Sequence, residues 1–318
     1  MQRAKLMKQV LITGGAGFIG SHSADLLLSQ GFVVRVLDNF SNGKHNNLNA
    51  AALGDGRLTL VEGDVRDMAV ADAAVMGVSA VLHLAAQVSV PRSLADPVAS
   101  STHNIAGFLN VLDAVRRHQV PRMVYASSAA VYGAPESLPL VEASAAKPLS
   151  PYGLEKLIND QYAALYRNLY GVSSVGMRYF NVYGPRQDPQ SPYSGVIAKF
   201  ADGLESAKSL RVFGDGQQTR DFIYVGDVAR ANVLALQSDA SGVLNVGTGT
   251  SVTLLELIEA MKEAFGRSAS LRHELPATGD IAHSATNPAR LMQTLGWQPA
   301  TSLTQGLRAL AESLRPAK

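Results

Sequence analysis

A doubly wound parallel α/β sheet, joined to a smaller C-terminal α/β unit, is the fold this 318-residue sequence predicts. Three observations predict it. Short apolar runs alternate with helix-length segments through the first 180 residues. A glycine-rich turn, TGGAGFIG at 13–20, follows the first run and opens the first helical segment. Beyond residue 180 the alternation breaks, Pro and Gly become frequent, and helical segments recur irregularly.

The buried-strand candidates are QVLIT (9–13), FVVRVLD (32–38), LTLVEGD (58–64), AVLHLAA (80–86), RMVYASS (122–128) and SVGMRYF (174–180). Their continuous apolar character suits strands covered on both faces, as in a parallel sheet flanked by helices. IGSHSADLLLSQ, NIAGFLNVLDAVRRH and SPYGLEKLINDQYAALYRNLYG carry helical spacing between them. The expected Rossmann-type nucleotide domain covers 1–178, with LNVGTG (244–249) returning to it inside a segment of about 226–249. The substrate domain is expected over 179–225 and 250–318, with helices at DVARANVLALQ and TLLELIEAMKEAF.

Composition narrows the function. Apolar residues make up 47% and charged residues 17%, a globular balance. A net charge of +2, scattered along the chain, argues against nucleic-acid or membrane partners. The absence of cysteine removes disulfides, thiolate metal ligands and cysteine nucleophiles, and suits a cytoplasmic setting. The seven histidines are dispersed without zinc spacing, so no metal site is expected. The opening MQRAKLMKQVLITGGAGFIG imitates a signal peptide, but four glycines break its apolar run and it reads as strand plus turn. No stretch approaches the roughly 18–20 apolar residues of a membrane span.

Gly14, Gly17 and Gly20 give a tight turn, close backbone approach to a pyrophosphate, and helix N–H groups aimed at the anion. Asp38 ends the next strand, where an acid accepts the adenosine ribose hydroxyls and repels a 2′-phosphate. The expected cofactor is therefore NAD rather than NADP. Asp64-Val65 closes the third strand toward the adenine edge.

Tyr152 and Lys156 stand four apart in YGLEK, on one helix face. A phenol titrates near about 10 when unperturbed. A neighbouring ammonium and a positively charged nicotinamide would bring it toward neutrality, making Tyr152 a base for a sugar or alcohol hydroxyl. Ser127-Ser128 ends a strand at the ligand-binding edge, and Ser128 is placed to shuttle that proton or hold the reacting oxygen.

With these motifs the chain resembles the extended short-chain dehydrogenase/reductase family, and within it the UDP-sugar 4-epimerases. The resemblance runs through TGGAGFIG, DN at 38–39, GDVRD (63–67), HLAA (83–86), SSAAVYG (127–133), YGLEK, RYFNVYGPRQ (178–187), RDFIYVGD (220–227) and NVGTG. It implies NAD contacts from Gly14, Gly17, Phe18, Ile19, Asp38, Asn39, Asp64, Val65, Ala85, Ala86, Lys156 and Tyr179. It implies a catalytic trio of Ser128, Tyr152 and Lys156. Ser128 and Tyr152 also meet substrate, and Asn181, Val196, Phe213, Arg220, Asp280 and Ser284 hold the UDP-sugar.

The implied reaction takes the 4-hydroxyl proton and a hydride, rotates the 4-keto sugar, and returns the hydride to the other face. Dehydratase relatives carry Asp-Glu after the first Ser or Thr of this motif; Ala129-Ala130 stands here. The decarboxylase Glu before Val-Tyr-Gly is likewise replaced by Ala130. Both related reactions fall behind epimerisation. A simple alcohol dehydrogenase and a non-catalytic nucleotide-binding protein also share this fold. The first would exchange its cofactor; the second usually lacks the Tyr or Lys that this chain keeps.

Many relatives place an Arg on the diphosphate two residues before the Gly279-Asp280 pair. Ala277 stands here, so the expectation is that Arg220 carries the charge alone or that Arg272 or His273 compensates. Ser284 replaces a bulky Tyr of glucose-type enzymes and leaves room for a 2-acetamido group, so UDP-GlcNAc and UDP-GalNAc join UDP-Glc and UDP-Gal as expected substrates. Relatives dimerise through a four-helix bundle; 97–118 and 153–169 are the matching segments, with Leu157, Tyr162, Leu165 and Tyr166 as contacts. Precursor supply for polysaccharide biosynthesis is the family-level expectation.

Overall fold

A computed structural model describes residues 9–188, 195–275 and 281–315. In chain order its nucleotide half runs β1 (Gln9–Thr13), α1 (Phe18–Ser29), β2 (Val33–Asp38), α2 (Ala50–Gly54), β3 (Leu58–Glu62), α3 (Met68–Val75) and β4 (Ala80–His83). There follow α4 (Val90–Ala95), α5 (Pro97–Ser101), a π-helical turn at Thr102–Ala106, α6 (Gly107–Arg117), β5 (Met123–Ser128), α7 (Pro151–Tyr170) and β6 (Ser174–Tyr179). The remainder comprises β7 (Asn181–Tyr183), α8 (Val196–Glu205), β8 (Leu210–Phe213), β9 (Thr219–Tyr224), α9 (Val225–Gln237), β10 (Gly242–Val246) and β11 (Ser251–Thr253). It closes with α10 (Leu254–Phe265), β12 (Leu271–Glu274), α11 (Ala289–Leu295) and α12 (Leu303–Leu314).

Seven parallel strands form the main sheet in the order β3-β2-β1-β4-β5-β6-β10. β1 shows why the apolar runs are continuous. Val10 and Ile12 point into a core shared with α1 and α9, while Leu11 points into the opposite core with α3 and α6. With side chains alternating every residue, a strand covered on both faces needs apolar residues throughout. β10, which holds Asn245 and Val246 of NVGTG, pairs with β6 at the edge of the main sheet.

A three-stranded sheet, β11-β9-β7, and the β8-β12 pair make up the smaller sheets. Their core joins Tyr183, Phe200, Leu257, Met261 and Leu307 from α8, α10, α12 and the strands.

Helix α7, which carries Tyr152 and Lys156, is specified locally. Ser150 caps α7 by accepting the Gly153 N–H at 3.1 Å, and Pro151 fills the first turn where no donor is needed. Gly171, at φ +71°, ends it in the left-handed region that glycine tolerates. Among the described residues, no helix is long and apolar enough to cross a membrane, and no group of three potential metal-ligating side chains exists.

Candidate active site

A cleft of about 440 Å³ opens along the carboxyl ends of the strands, where the order reverses between β1 and β4. Gly14, Gly17, Phe18, Ile19, Asp38, Asn39, Asp64, Val65, Ala85, Ala86, Ser128, Tyr152, Lys156 and Tyr179 all line it. The fold thus brings every residue expected at the cofactor, and the whole catalytic trio, into one groove.

The glycines are there because backbones touch. A Cβ on Gly14, itself at φ +70°, would stand 2.7 Å from the Ala85 nitrogen. One on Gly20 would stand 2.2 Å from the Gly14 carbonyl oxygen. The first turn of α1 has no side-chain cap, leaving its N–H groups for an anion. Asp38 accepts the Ala16 and Phe40 N–H groups at 2.9 Å each, which fixes its carboxylate at the floor of the groove. Burial raises its pKa despite those bonds. Asn39 donates to Asp64 at 2.8 Å, and Arg66 clamps the same carboxylate, holding its pKa well below the usual range. This cradle fits NAD: a backbone-lined pyrophosphate seat, with an acid at the end of β2.

At the reactive end, Lys156 donates from Nζ to the Ala126 carbonyl at 3.0 Å and lies 5.8 Å from the Tyr152 ring centre. Ser128 lines the cleft beside the phenol and lowers its pKa, and its Oγ accepts the Ala130 N–H at 3.2 Å. Tyr152 is partly exposed where it lines the cleft, but its phenol oxygen is enclosed. Enclosure pushes its pKa up to about 12, against the lowering effect of Ser128. Burial likewise brings Lys156 down to about 8. The ammonium and a cationic nicotinamide are together expected to bring the phenol toward neutrality; the protein's own groups raise it. Of these influences desolvation is the largest, with Ser128 lowering and Glu155 raising the phenol pKa.

The expected substrate residues divide. Val196, Phe213 and Arg220 line a second cleft of about 420 Å³, together with the cationic side chains of Lys199, Lys208 and Arg211. The two clefts abut at consecutive residues, since Gly195 lines the first and Val196 the second. Asn181 and Ser284 line neither, but both bond to the strand bearing Arg220. Asn181 Nδ2 donates to the Asp221 carbonyl at 3.2 Å, and the Ser284 N–H donates to the Thr219 carbonyl at 3.1 Å. Ser284 is 9% exposed. Asp280 and Ala277 lie outside the described residues. Arg272 and His273 do not replace the missing arginine in this cleft: Arg272 faces Glu274 at 3.7 Å, and His273 Nδ1 is 2.8 Å from the Gly214 carbonyl.

Three comparisons complete the description. Residues 10–247 match the model of the NAD dependent epimerase/dehydratase family. The chain belongs to that family. It is 37% identical over 315 residues to a UDP-glucose 4-epimerase of Mycolicibacterium smegmatis, covering 96% of this chain and 98% of the relative. Among solved structures, it is similar to the UDP-N-acetylglucosamine 4-epimerase of Methanobrevibacter ruminantium, in complex with UDP-N-acetylmuramic acid. That likeness has a TM-score of 0.92 at 36% identity, over 96% of this chain and 97% of that one. The Thermus thermophilus UDP-glucose 4-epimerase, in complex with NAD, matches with a TM-score of 0.89 at 38% identity, over 98% and 100% of the chains. The cofactor of this family member is NAD, in keeping with Asp38.

Sequence reading missed the polar scaffold behind the trio. Glu155, Asn159 and Asp160 are buried on the same face of α7 as Lys156, and Asn104 and Gln87 are buried opposite Glu155. The signal was present. Positions 152, 155, 156, 159 and 160 follow helical spacing, so the face turned toward the sheet was legibly polar.

Proposed function

We propose that the protein is an isomerase that inverts carbon 4 of UDP-hexoses through a 4-keto sugar. The observation that carries this reading is that Ser128, Tyr152 and Lys156 line one cleft with the Gly14–Gly20 turn and Asp38, and that this cleft abuts a second one lined by Arg220. Bound NAD supplies the reversible hydride acceptor, held by the Gly14–Gly20 turn, Asp38 and Lys156. The chain's own groups handle the proton and the grip.

Tyr152 takes the proton of the sugar 4-hydroxyl, with Ser128 bridging the two oxygens. Lys156, fixed by Ala126, offers the positive charge that favours the phenolate. Arg220, Lys199, Lys208 and Arg211 supply cations for the diphosphate end. Firm hold on UDP and loose hold on the hexose suit a ring that must present both faces. Asn181, Val196, Phe213, Asp280 and Ser284 complete the proposed sugar-nucleotide contacts. Ser284 is compact enough to admit N-acetylated sugars, so UDP-GlcNAc and UDP-GalNAc are proposed beside UDP-Glc and UDP-Gal.

A homodimer is part of the proposal. Val90, Leu94 and Val98 on α4 and α5, and Leu154, Leu165 and Leu169 on α7, are exposed on packed neighbouring helices. Of the expected contacts, Leu165 is exposed; Tyr162 and Tyr166 pack partly on their own core, and Leu157 packs beside Val131 and Tyr132. Light scattering at micromolar concentration is expected to give twice the chain mass.

The deciding experiment incubates purified protein with each of the four UDP-hexoses. Interconversion without accumulation of NADH is expected; no isomerisation of any of them refutes the reading.

A further inference from the structure

Glu155 is only 2% exposed, yet the chemistry above gives it no task. Its carboxylate accepts the Ser100 hydroxyl at 2.9 Å, the Ser101 hydroxyl at 3.2 Å and the Asn104 amide at 2.6 Å. Among the described residues, all three of these partners are neutral. Burying a carboxylate without a paired cation is costly, so a nearby positive charge has to offset it. The other buried carboxylate on this face, Asp160, is met by Arg178 at 3.0 Å. Lys156, the next residue along α7, is a buried cation whose charged form Glu155 favours, after Asp160. Asp160 and Glu155 both pull the Lys156 ammonium upward against its burial, and Glu155 also raises the Tyr152 phenol.

The same carboxylate joins two walls of the cleft. Asn104 sits in the π-helical turn, whose extra residue per turn reorients side chains. From there Asn104 Oδ1 accepts the Gln87 N–H at 2.8 Å, and its Nδ2 donates to the Gln87 carbonyl at 2.8 Å as well as to Glu155. Gln87 Nε2 bonds the Ser89 carbonyl at 3.0 Å and the Ser100 hydroxyl at 3.1 Å, and its Oε1 accepts the Ser89 N–H. Gln87, Val88 and Ser89 line the cofactor cleft along with Tyr152. On the same side, Ser93 Oγ accepts the Tyr152 N–H at 3.2 Å.

We propose that Glu155 is a positioning residue for the Tyr152–Lys156 pair, tying helix α7 through Asn104 to the Gln87 loop and adding buried negative charge beside the pair. This rests on the reading of Tyr152 as the proton acceptor. Other groups facing the pair are Asp160, which is ion-paired with Arg178 and also raises Lys156, and His83, which burial and Lys156 bring down to about 3 and so keep uncharged. Arg92 and His103 line the cleft nearby.

The test uses the NAD-loaded protein and variants Glu155→Gln and Glu155→Asp. The ionisation of Tyr152 is read as the ultraviolet difference between each protein and its Tyr152→Phe counterpart. For Glu155→Gln the phenol midpoint is expected to fall by about one pH unit, with kcat down about tenfold and KM within about twofold. Glu155→Asp is expected to keep the midpoint of the unaltered protein. An unmoved midpoint in Glu155→Gln overturns the proposal, whether or not kcat falls, because a packing role would leave the titration in place. Should Glu155→Gln fail to fold, Ser101→Ala removes one donor and keeps the charge; its phenol midpoint is expected to rise, and no movement overturns the proposal. If the unaltered protein epimerises nothing while the phenol shift appears, the proposed reaction fails and the positioning role stands.

Discussion

The Lys156 ammonium stands 5.8 Å from the centre of the Tyr152 ring and 3.0 Å from the Ala126 carbonyl oxygen, so one side chain is anchored to β5 and turned toward the phenol. Two consequences of this pairing are separable by substitution. Tyr152→Phe keeps the apolar ring and removes the transferable proton. Turnover is expected to fall by about 10²–10⁴-fold while NAD stays bound. Lys156→Met is expected to lose turnover and to weaken NAD binding as well, because Lys156 lines the dinucleotide cleft. Steady-state rates and the NAD content of purified protein check both.

Lys156 also makes stability depend on pH in an unusual sense. Its folded pKa, about 8, lies below the ordinary 10.5, so the unfolded chain binds more protons between those values. Stability from this group therefore rises with pH through that window and is lowest below about 8. Relative to Lys156→Met, the unaltered protein is expected to gain up to about 3 kcal/mol between pH 8 and 10.5. Denaturant titrations at both pH values measure it; a constant difference contradicts the assignment.

Behind the catalytic face, Arg178 and Asp160 form an ion pair whose side chains are 7% and 6% exposed. Ser127 donates to the same carboxylate at 3.1 Å, and Arg178 donates to the Tyr132 hydroxyl at 2.9 Å. Arg178→Met strands a buried carboxylate and is expected to cost about 3–5 kcal/mol. The double variant Arg178→Met/Asp160→Leu is expected to recover a large part of that loss. Urea unfolding of the three proteins decides it.

Substrate range is tested at Ser284. Replacing it with Tyr is expected to abolish turnover of the N-acetylated pair and spare UDP-Glc and UDP-Gal. Equal loss on both pairs, measured as kcat/KM, would remove Ser284 from the hexose pocket.

The fold was legible because its signals are local or periodic. β1 through β6 and the long helix α7 stand within a few residues of their apolar runs and caps, and the Gly14–Gly20 turn declares its use through spacing alone. Other features depend on contacts distant in sequence. That Gly195 lines one cleft and Val196 the next, or that Arg272 meets Glu274 and His273 meets the Gly214 carbonyl, appears only in the folded chain. Asn104 meets Glu155 across 51 positions, through a π-helical turn that no linear pattern announces.

By itself the sequence determined the parallel sheet, the NAD site and the Tyr152–Lys156 pair. Glycine conformation, strand periodicity and the four-residue helix repeat act over short range. Only the tertiary structure decided how those groups ionise. Packing α7 against β5 and the Gln87 loop encloses the phenol and the ammonium, and desolvation is then the largest influence on each. Burial belongs to the assembled fold, so the proton chemistry of Tyr152 is set there.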